Sequence, residues 1–140
     1  KENIQKFRAD YNLFILMFAF YMLYIQTLTL AYNLGWIHNL NQYMLPAFGI
    51  FFFFVGQLIG KAHRNYFIGI RTPWTLNDER IWDETHKRAA VAFKGAGAIT
   101  LLCIFLPAFG IWILLVSILG AALYSLILSY VLFRRYHPQS

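Results

Sequence analysis

The chain has 140 residues, of which 59% are hydrophobic, 19% aromatic and only 13% charged, with a net charge of +6. Soluble domains carry about 25% charged residues, and a short soluble chain exposes too much surface to hide such a shortfall in its core. The composition therefore excludes an ordinary soluble domain and requires a lipid-facing surface, while the single Cys103 excludes an internal disulfide.

The chain opens Lys1-Glu2-Asn3, without methionine and without the short apolar stretch and small-residue cleavage site of a signal peptide. It is read as a fragment lacking an N-terminal membrane domain. A membrane helix needs about 20 apolar residues to cross a hydrocarbon core of about 30 Å. Tyr11 to Tyr32 supplies a first span without a charge, and Tyr43 to Lys61 a second, through Phe51-Phe52-Phe53-Phe54. A third runs from Ala89 to Leu106 and a fourth from Pro107 to Phe133. Lys94, the one charge in the third span, lies near its basic end, where a long side chain can snorkel to the headgroups. Pro46 and Pro107 lie near helix starts, where a missing N–H costs little. The expected fold is an all-α integral membrane protein. It has four transmembrane helices arranged as two hairpins, a short cytoplasmic helix before the third span, and a single domain over residues 1–140.

Charge sets the orientation. Lys1, Lys6 and Arg8 precede the first span; Lys61, Arg64, Arg71, Arg80, Lys87 and Arg88 lie between the second and third; Arg134 and Arg135 follow the fourth. The other two connections, Asn33 to Gln42 and the turn at Pro107, have no Lys or Arg. Short basic loops stay in the cytoplasm, so both termini and the segment 62–88 are expected there. Topology explains the basic charge, and direct nucleic-acid binding is not expected.

Small residues recur at four-residue spacing: Gly56 and Gly60; Ala92, Ala96 and Thr100; Ser117, Ala121, Ser125 and Ser129. Such stripes let helices approach closely in lipid, which predicts a packed bundle rather than a pore. Gln26 and Gln57 are read as interhelical hydrogen-bond formers. The six residues Leu45 to Ile50 recur as Leu106 to Ile111, either a trace of parallel duplication or a product of biased composition.

The stretch from Asn65 to His86 differs from everything around it. Gly69 permits a bend, and Thr72-Pro73 is extended or turning at Thr72. A helix should start soon after. Thr75 with Asp78 resembles a capping box with Asp in place of Glu, and Asn77 is a rival cap. Asp83–Lys87 and Glu84–Arg88 are acid-before-base pairs at i,i+4. Trp82, His86, Ala89 or Ala90, and Phe93 share a face that leads into the third span, so the short helix either continues into it or bends at the surface. Trp74 and Trp82 suit an interfacial aromatic belt. His86 with Glu79 and Asp83 would suit a metal or proton transfer. There is, however, no H-E-x-x-H motif, no paired histidines at ligand spacing and no Gly-rich phosphate loop. No cofactor, metal or enzymatic activity is expected. The residues read as a structural network in which Arg71 or His86 ties the loop to the helix by charge-assisted hydrogen bonds.

The run Asn65-Tyr66-Phe67-Ile68-Gly69-Ile70-Arg71-Thr72-Pro73-Trp74-Thr75-Leu76, followed by Glu79, Trp82 and Thr85-His86, resembles the signature of the SdpI family of membrane proteins. The flanking hairpins fit, so the resemblance covers nearly the whole chain. It departs at Ala89-Ala90, where the family tends to have a glycine soon after the histidine. The resemblance implies an immunity protein that protects a Gram-positive bacterium from its own secreted killing peptide, and that also signals by holding a transcriptional repressor at the membrane. It implies a functional motif of Asn65, Gly69, Arg71, Thr72, Pro73, Trp74, Glu79, Trp82 and His86. The small uncharged outer surface then predicts a hydrophobic toxin met by helix faces within the bilayer. Arg71, Trp74, Glu79, Trp82 and His86 are expected to form a cytoplasmic docking or switching surface. Two rivals are a small-molecule transporter, with a polar cavity lined by Gln26, Gln57 and Lys94, and a membrane-embedded enzyme at the cytoplasmic interface, with His86, Glu79, Asp83 and Arg71 converging.

Overall fold

The computed structural model describes Gln5 and residues 7–138; Lys1 and Lys6, which contribute to the charge argument, lie outside the described residues. Helix α1 spans Arg8–Asn33. It runs unbroken because Tyr11 to Tyr32 contains neither Gly nor Pro, and Gly35, at φ 75°, closes the turn after it. Helix α2 spans Leu40–Lys61 and starts on Asn39, whose side chain accepts the Gln42 N–H at 3.3 Å. That start is earlier than the sequence suggested. Pro46 therefore lies inside the helix, where it cannot donate to the carbonyl of Gln42.

A short helix α3, Pro73–Asn77, is followed at once by α4, Glu79–Thr100. Helix α4 runs unbroken from the polar segment into the apolar one. A 3₁₀ turn over Leu101–Ile104 extends it, a second over Pro107–Phe109 reverses the chain, and α5 spans Gly110–Tyr136. Among the described residues there is no strand.

Among the described residues, three units are long and apolar enough to cross a membrane: α1, α2 and the continuous Pro107–Tyr136. Helix α4 is not among them, because its opening turns carry Glu79, Arg80, Asp83, Glu84, Lys87 and Arg88. Its most extensive interface is with α2 and its next with α5, whereas α1 packs on α2 and on little else. The centre of the fold is thus the contact between the two expected hairpins.

Glycines explain that contact: Gly56 from the expected stripes, with Gly49 and Gly97, which lie outside them. A Cβ on Gly49 would stand 2.7 Å from the carbonyl oxygen of Gly97, and one on Gly56 would stand 2.8 Å from the backbone nitrogen of Lys94. Bare backbones therefore face each other across α2 and α4. Between α4 and α5, Thr100 Oγ1 and Ser117 Oγ are 3.1 Å apart. Ser125 and Ser129 are fully buried and return their hydroxyls to carbonyls of their own helix, Ala121 and Leu126. The two copies of the six-residue repeat meet, with Leu45 packed on Cys103 and Leu114 and close to Gly110. One copy lies within α2 while the other straddles a 3₁₀ turn.

The polar side chains expected along a transport path do not share a cavity. Gln26 is exposed, Gln57 borders a small cleft with Asp10 and Phe14, and the Lys94 ammonium lies 5.7 Å from the Phe53 ring centre. An apolar cleft of about 390 Å³ opens instead between α1 and α2, lined by Met17, Phe20, Tyr21, Tyr43, Pro46 and Phe51.

Candidate functional site

The segment between α2 and α4 packs Ile68, Trp74 and Leu76 against the core, and its bends are set by hydrogen bonds from its own side chains. Asn65, 8% exposed, braces the first bend. Its Oδ1 accepts the N–H groups of Phe67 and Ile68, both at 2.7 Å, and its Nδ2 donates to the carbonyls of His63 and Ile68. An asparagine can do this because one amide supplies an acceptor and two donors, the logic of an Asx turn. Arg71 closes the same loop by donating from Nη1 to the Tyr66 carbonyl at 2.6 Å. It therefore ties the loop to itself and not to the helix.

The next bend is built from two threonines. Thr72 is extended (φ −99°, ψ 160°) and caps α3. Its Oγ1 accepts the Thr75 N–H at 3.3 Å, while Thr75 Oγ1 accepts the Thr72 N–H at 2.9 Å and donates to the Ile70 carbonyl at 2.8 Å. This is a capping box with threonine in the place usually held by Glu or Gln, and Pro73 takes the first helical position. The expected box at Thr75 and Asp78, and the rival cap at Asn77, are thus displaced by one turn. Asp78 instead ends α3 and caps α4, its Oδ1 accepting the N–H groups of Arg80 and Ile81 at 2.9 and 3.4 Å.

Beneath these bends lie Trp82 and His86, 0% and 2% exposed. Their rings stack with centres 3.9 Å apart. Trp82 Nε1 donates to the Ala62 carbonyl at the end of α2 (2.8 Å). The Ile70 N–H donates to His86 Nε2 at 2.9 Å, and His86 Nδ1 lies 2.8 Å from the Trp82 carbonyl. Nε2 must then be the acceptor, so Nδ1 carries the proton and the ring is neutral. Burial pushes the His86 pKa from 6.5 down to about 4, against the opposing pull of the Trp82 carbonyl. The loop is joined to the helix by neutral hydrogen bonds, not the charge-assisted ones expected. Gly69, at φ +117°, makes this possible: a Cβ there would collide with His86 Nε2 and stand 3.1 Å from the Trp82 ring.

The segment is also fastened to the end of α5. Trp74 Nε1 donates to Ser129 Oγ at 2.7 Å, and its ring packs on Tyr130 and Phe133. Tyr136 donates to Glu84 at 2.6 Å and lies under the Arg80 guanidinium at 4.6 Å. Asp78 and His137 are 3.1 Å apart. Partial burial raises the Asp78 carboxyl, but the His137 bond, the two capping N–H groups and Arg80 outweigh it and leave the pKa below its ordinary value. Glu84 is also held low, first by the Tyr136 hydroxyl and then, against burial, by the charges of Arg88 and Arg135. Of the two expected i,i+4 pairs, Glu84–Arg88 forms at 2.6 Å and Asp83–Lys87 does not.

The expected motif therefore divides. Asn65, Thr72, Trp82 and His86 are buried, Gly69 and Trp74 are partly covered, and Arg71, Pro73 and Glu79 are exposed. Trp82 is a core residue rather than part of an interfacial belt. His86 faces Ile70 and Trp82 while Glu79 and Asp83 are exposed, so the convergence required of an enzymatic site is not formed. Among the described residues no three His, Cys, Asp or Glu side chains gather at metal-binding distance. The sequence reading missed Thr75 and Asp78 as cap residues in their actual roles. It also missed Tyr66 and Phe67, which are 72% and 68% exposed at the loop tip. Thr75 had a visible signal in its three-residue spacing from Thr72; the exposure of Tyr66 and Phe67 had none.

Residues 61–131 match the model of the SdpI/YfhL protein family. The chain is 32% identical over 136 residues to "Immunity protein SdpI" of Bacillus subtilis (strain 168), an alignment covering 96% of this chain and 63% of that relative. The chain thus spans less than two thirds of the relative's length. No solved structure matches it.

Proposed function

This chain belongs to the SdpI/YfhL protein family, and from that premise we propose that it is an SdpI-like immunity protein that gives resistance to a membrane-active peptide toxin. The observation that carries this reading is the site itself: the polar segment between α2 and α4 is bent and fastened by its own side chains. The residues that hold it, Asn65, Gly69, Thr72, Trp82 and His86, are those on which the family resemblance rests.

Four spans in a single SdpI-like membrane domain suit this function. The part of α4 beyond Ala89, with its 3₁₀ extension to Ile104, serves as the third, because it packs between two apolar helices and is at backbone contact with α2. Arg8, Lys61, Arg64, Arg71, Arg80, Lys87, Arg88, Arg134 and Arg135 flank the apolar stretches on one side, so that side is cytoplasmic and carries both termini. Within this chain the opposite side offers the short connection after α1 and the turn at Pro107, both small surfaces for a soluble ligand. The toxin is therefore apolar and meets helix faces in the bilayer, of which the cleft between α1 and α2 is one. A cytoplasmic repressor held for signalling would dock on the exposed edge of α4 at Glu79, Arg80 and Asp83, with Trp82 and His86 beneath keeping that edge in place. The protein acts by binding and not as an enzyme.

The test is survival. Sensitive cells expressing the chain are challenged with membrane-active killing peptides and compared with cells carrying empty vector. The reading predicts protection, reduced by Arg71→Ala at unchanged membrane abundance. Trp82→Ala should instead lower abundance, because it empties the centre of the segment. Survival no better than with empty vector would refute the reading.

A further inference from the structure

We propose that the loop tip Tyr66–Phe67, together with Arg71, is a binding site for the phosphate headgroup of an anionic phospholipid in the leaflet that meets the basic end of the bundle. Two aromatic side chains on adjacent residues stand 72% and 68% exposed outside every helix. Contiguous exposed apolar surface of this kind marks a contact. It is not a frayed end, because Asn65 and Arg71 fix the backbone that carries it.

Three observations favour lipid over a protein partner. The first is height. Gly60 packs against Ala90, and the Ile70 N–H donates to His86 Nε2, so both ends of the loop lie within about one turn of Arg88. The tip thus lies close to the boundary marked by Lys61, at the end of α2, and Arg88, just before the apolar part of α4, where aromatic side chains concentrate.

The second is the backbone. A segment that leaves water must satisfy its polar groups internally. Here the Tyr66 carbonyl, the Phe67 and Ile68 N–H groups, the Ile68 carbonyl and the Ile70 N–H all have intramolecular partners. Such a tip keeps these bonds when it enters the headgroup layer.

The third is charge. Arg71 spends one N–H on the Tyr66 carbonyl and is exposed, so the rest of its planar fork is available beside the rings. Guanidinium groups bind phosphate through paired hydrogen bonds. Phe67 would cover the glycerol and upper acyl carbons while Arg71 takes the phosphate.

The experiment labels the full chain, with Cys103→Ser, at Phe67→Cys with a bimane fluorophore and reconstitutes it in nanodiscs of brominated phosphatidylcholine or brominated phosphatidylglycerol. A second protein carries the label at Asn77→Cys. The site predicts strong lipid quenching at 67 and strong iodide quenching at 77. It also predicts a preference for phosphatidylglycerol that Arg71→Ala reduces about fivefold, the factor for about 1 kcal/mol per basic residue at an anionic surface. Helical circular dichroism checks that each variant is folded. Iodide quenching at 67 equal to that at 77 would overturn the proposal. So would lipid quenching that is the same in both lipids and insensitive to Arg71→Ala, since the rings alone would then be the anchor.

Discussion

Acid should release the loop from α4, and the size of the effect follows from His86. In the docked state its pKa is about 4, and in the released loop it returns to 6.5. The neutral ring is needed because Nε2 accepts the Ile70 N–H; a proton on Nε2 would set donor against donor. Because the docked pKa is depressed, the contribution is complete above about pH 6.5, declines as the pH falls from 6.5 toward 4, and is gone below that. At about 1.36 kcal/mol per pKa unit the whole effect is about 3 kcal/mol. At pH 5 the loss is about 2 kcal/mol, or about thirtyfold in the docking equilibrium. Amide hydrogen exchange at Ile70, corrected for the intrinsic pH dependence of exchange, measures it directly in nanodiscs between pH 7.5 and 4.5. Protection should fall about thirtyfold by pH 5. His86→Gln, which keeps a side-chain acceptor but does not titrate, should flatten the profile. An Ile70 amide equally protected at both pH values in the unmodified chain, or a His86 ring that titrates near 6.5, would mean that His86 does not hold the loop.

Two further outcomes follow from the packing. Thr72→Ala removes the cap of α3 and should cost about 1 kcal/mol, read as faster exchange at Thr75 and Leu76 with exchange in α5 unchanged. Gly97→Leu should separate α2 from α4, because a Cβ at that position meets the Gly49 carbonyl and the Phe53 backbone; Gly95→Leu faces open space and should be tolerated. The amount of folded protein recovered from membranes, and its melting temperature in detergent, should fall for the first and hold for the second.

Much of the architecture was legible because it follows from composition. Long charge-free runs can only be lipid-facing helices, and the small-residue stripes named the faces on which they pack: Gly56, Ala96, Thr100 and Ser125 are all buried at helix contacts. The bends at Gly69 and Thr72 were also legible, since each depends on a backbone restriction of the residue itself. The hydrogen-bond network was not. The capping template favours an acid three residues after the cap, which drew the expected start to Thr75 and Asp78. The structure pairs two threonines instead, because Thr75 can also reach back to the Ile70 carbonyl, a contact that depends on the path of the preceding loop. His86 was read as a charged tie because nothing in its sequence neighbours reveals that Gly69 brings a backbone N–H onto its ring. Trp82 was read as interfacial because its amphipathic indole suits either place; the partner that buries it, the Ala62 carbonyl, is twenty residues away. Which exposed aromatics matter was equally hidden, as Tyr66 and Phe67 look like core residues until Asn65 turns the chain around them.

In the function proposed above, immunity depends on the latched segment between α2 and α4, not on the apolar helices alone. Gly69→Ala tests it most directly. Its Cβ collides with His86 Nε2, and its positive φ alone costs about 1–2 kcal/mol, yet it touches no helix–helix contact. Survival of peptide-challenged cells, measured at matched membrane abundance, should drop to that of cells without the protein. Full protection by the Gly69→Ala chain, with the Ile70 amide shown to be exposed, would mean that immunity does not need the latch.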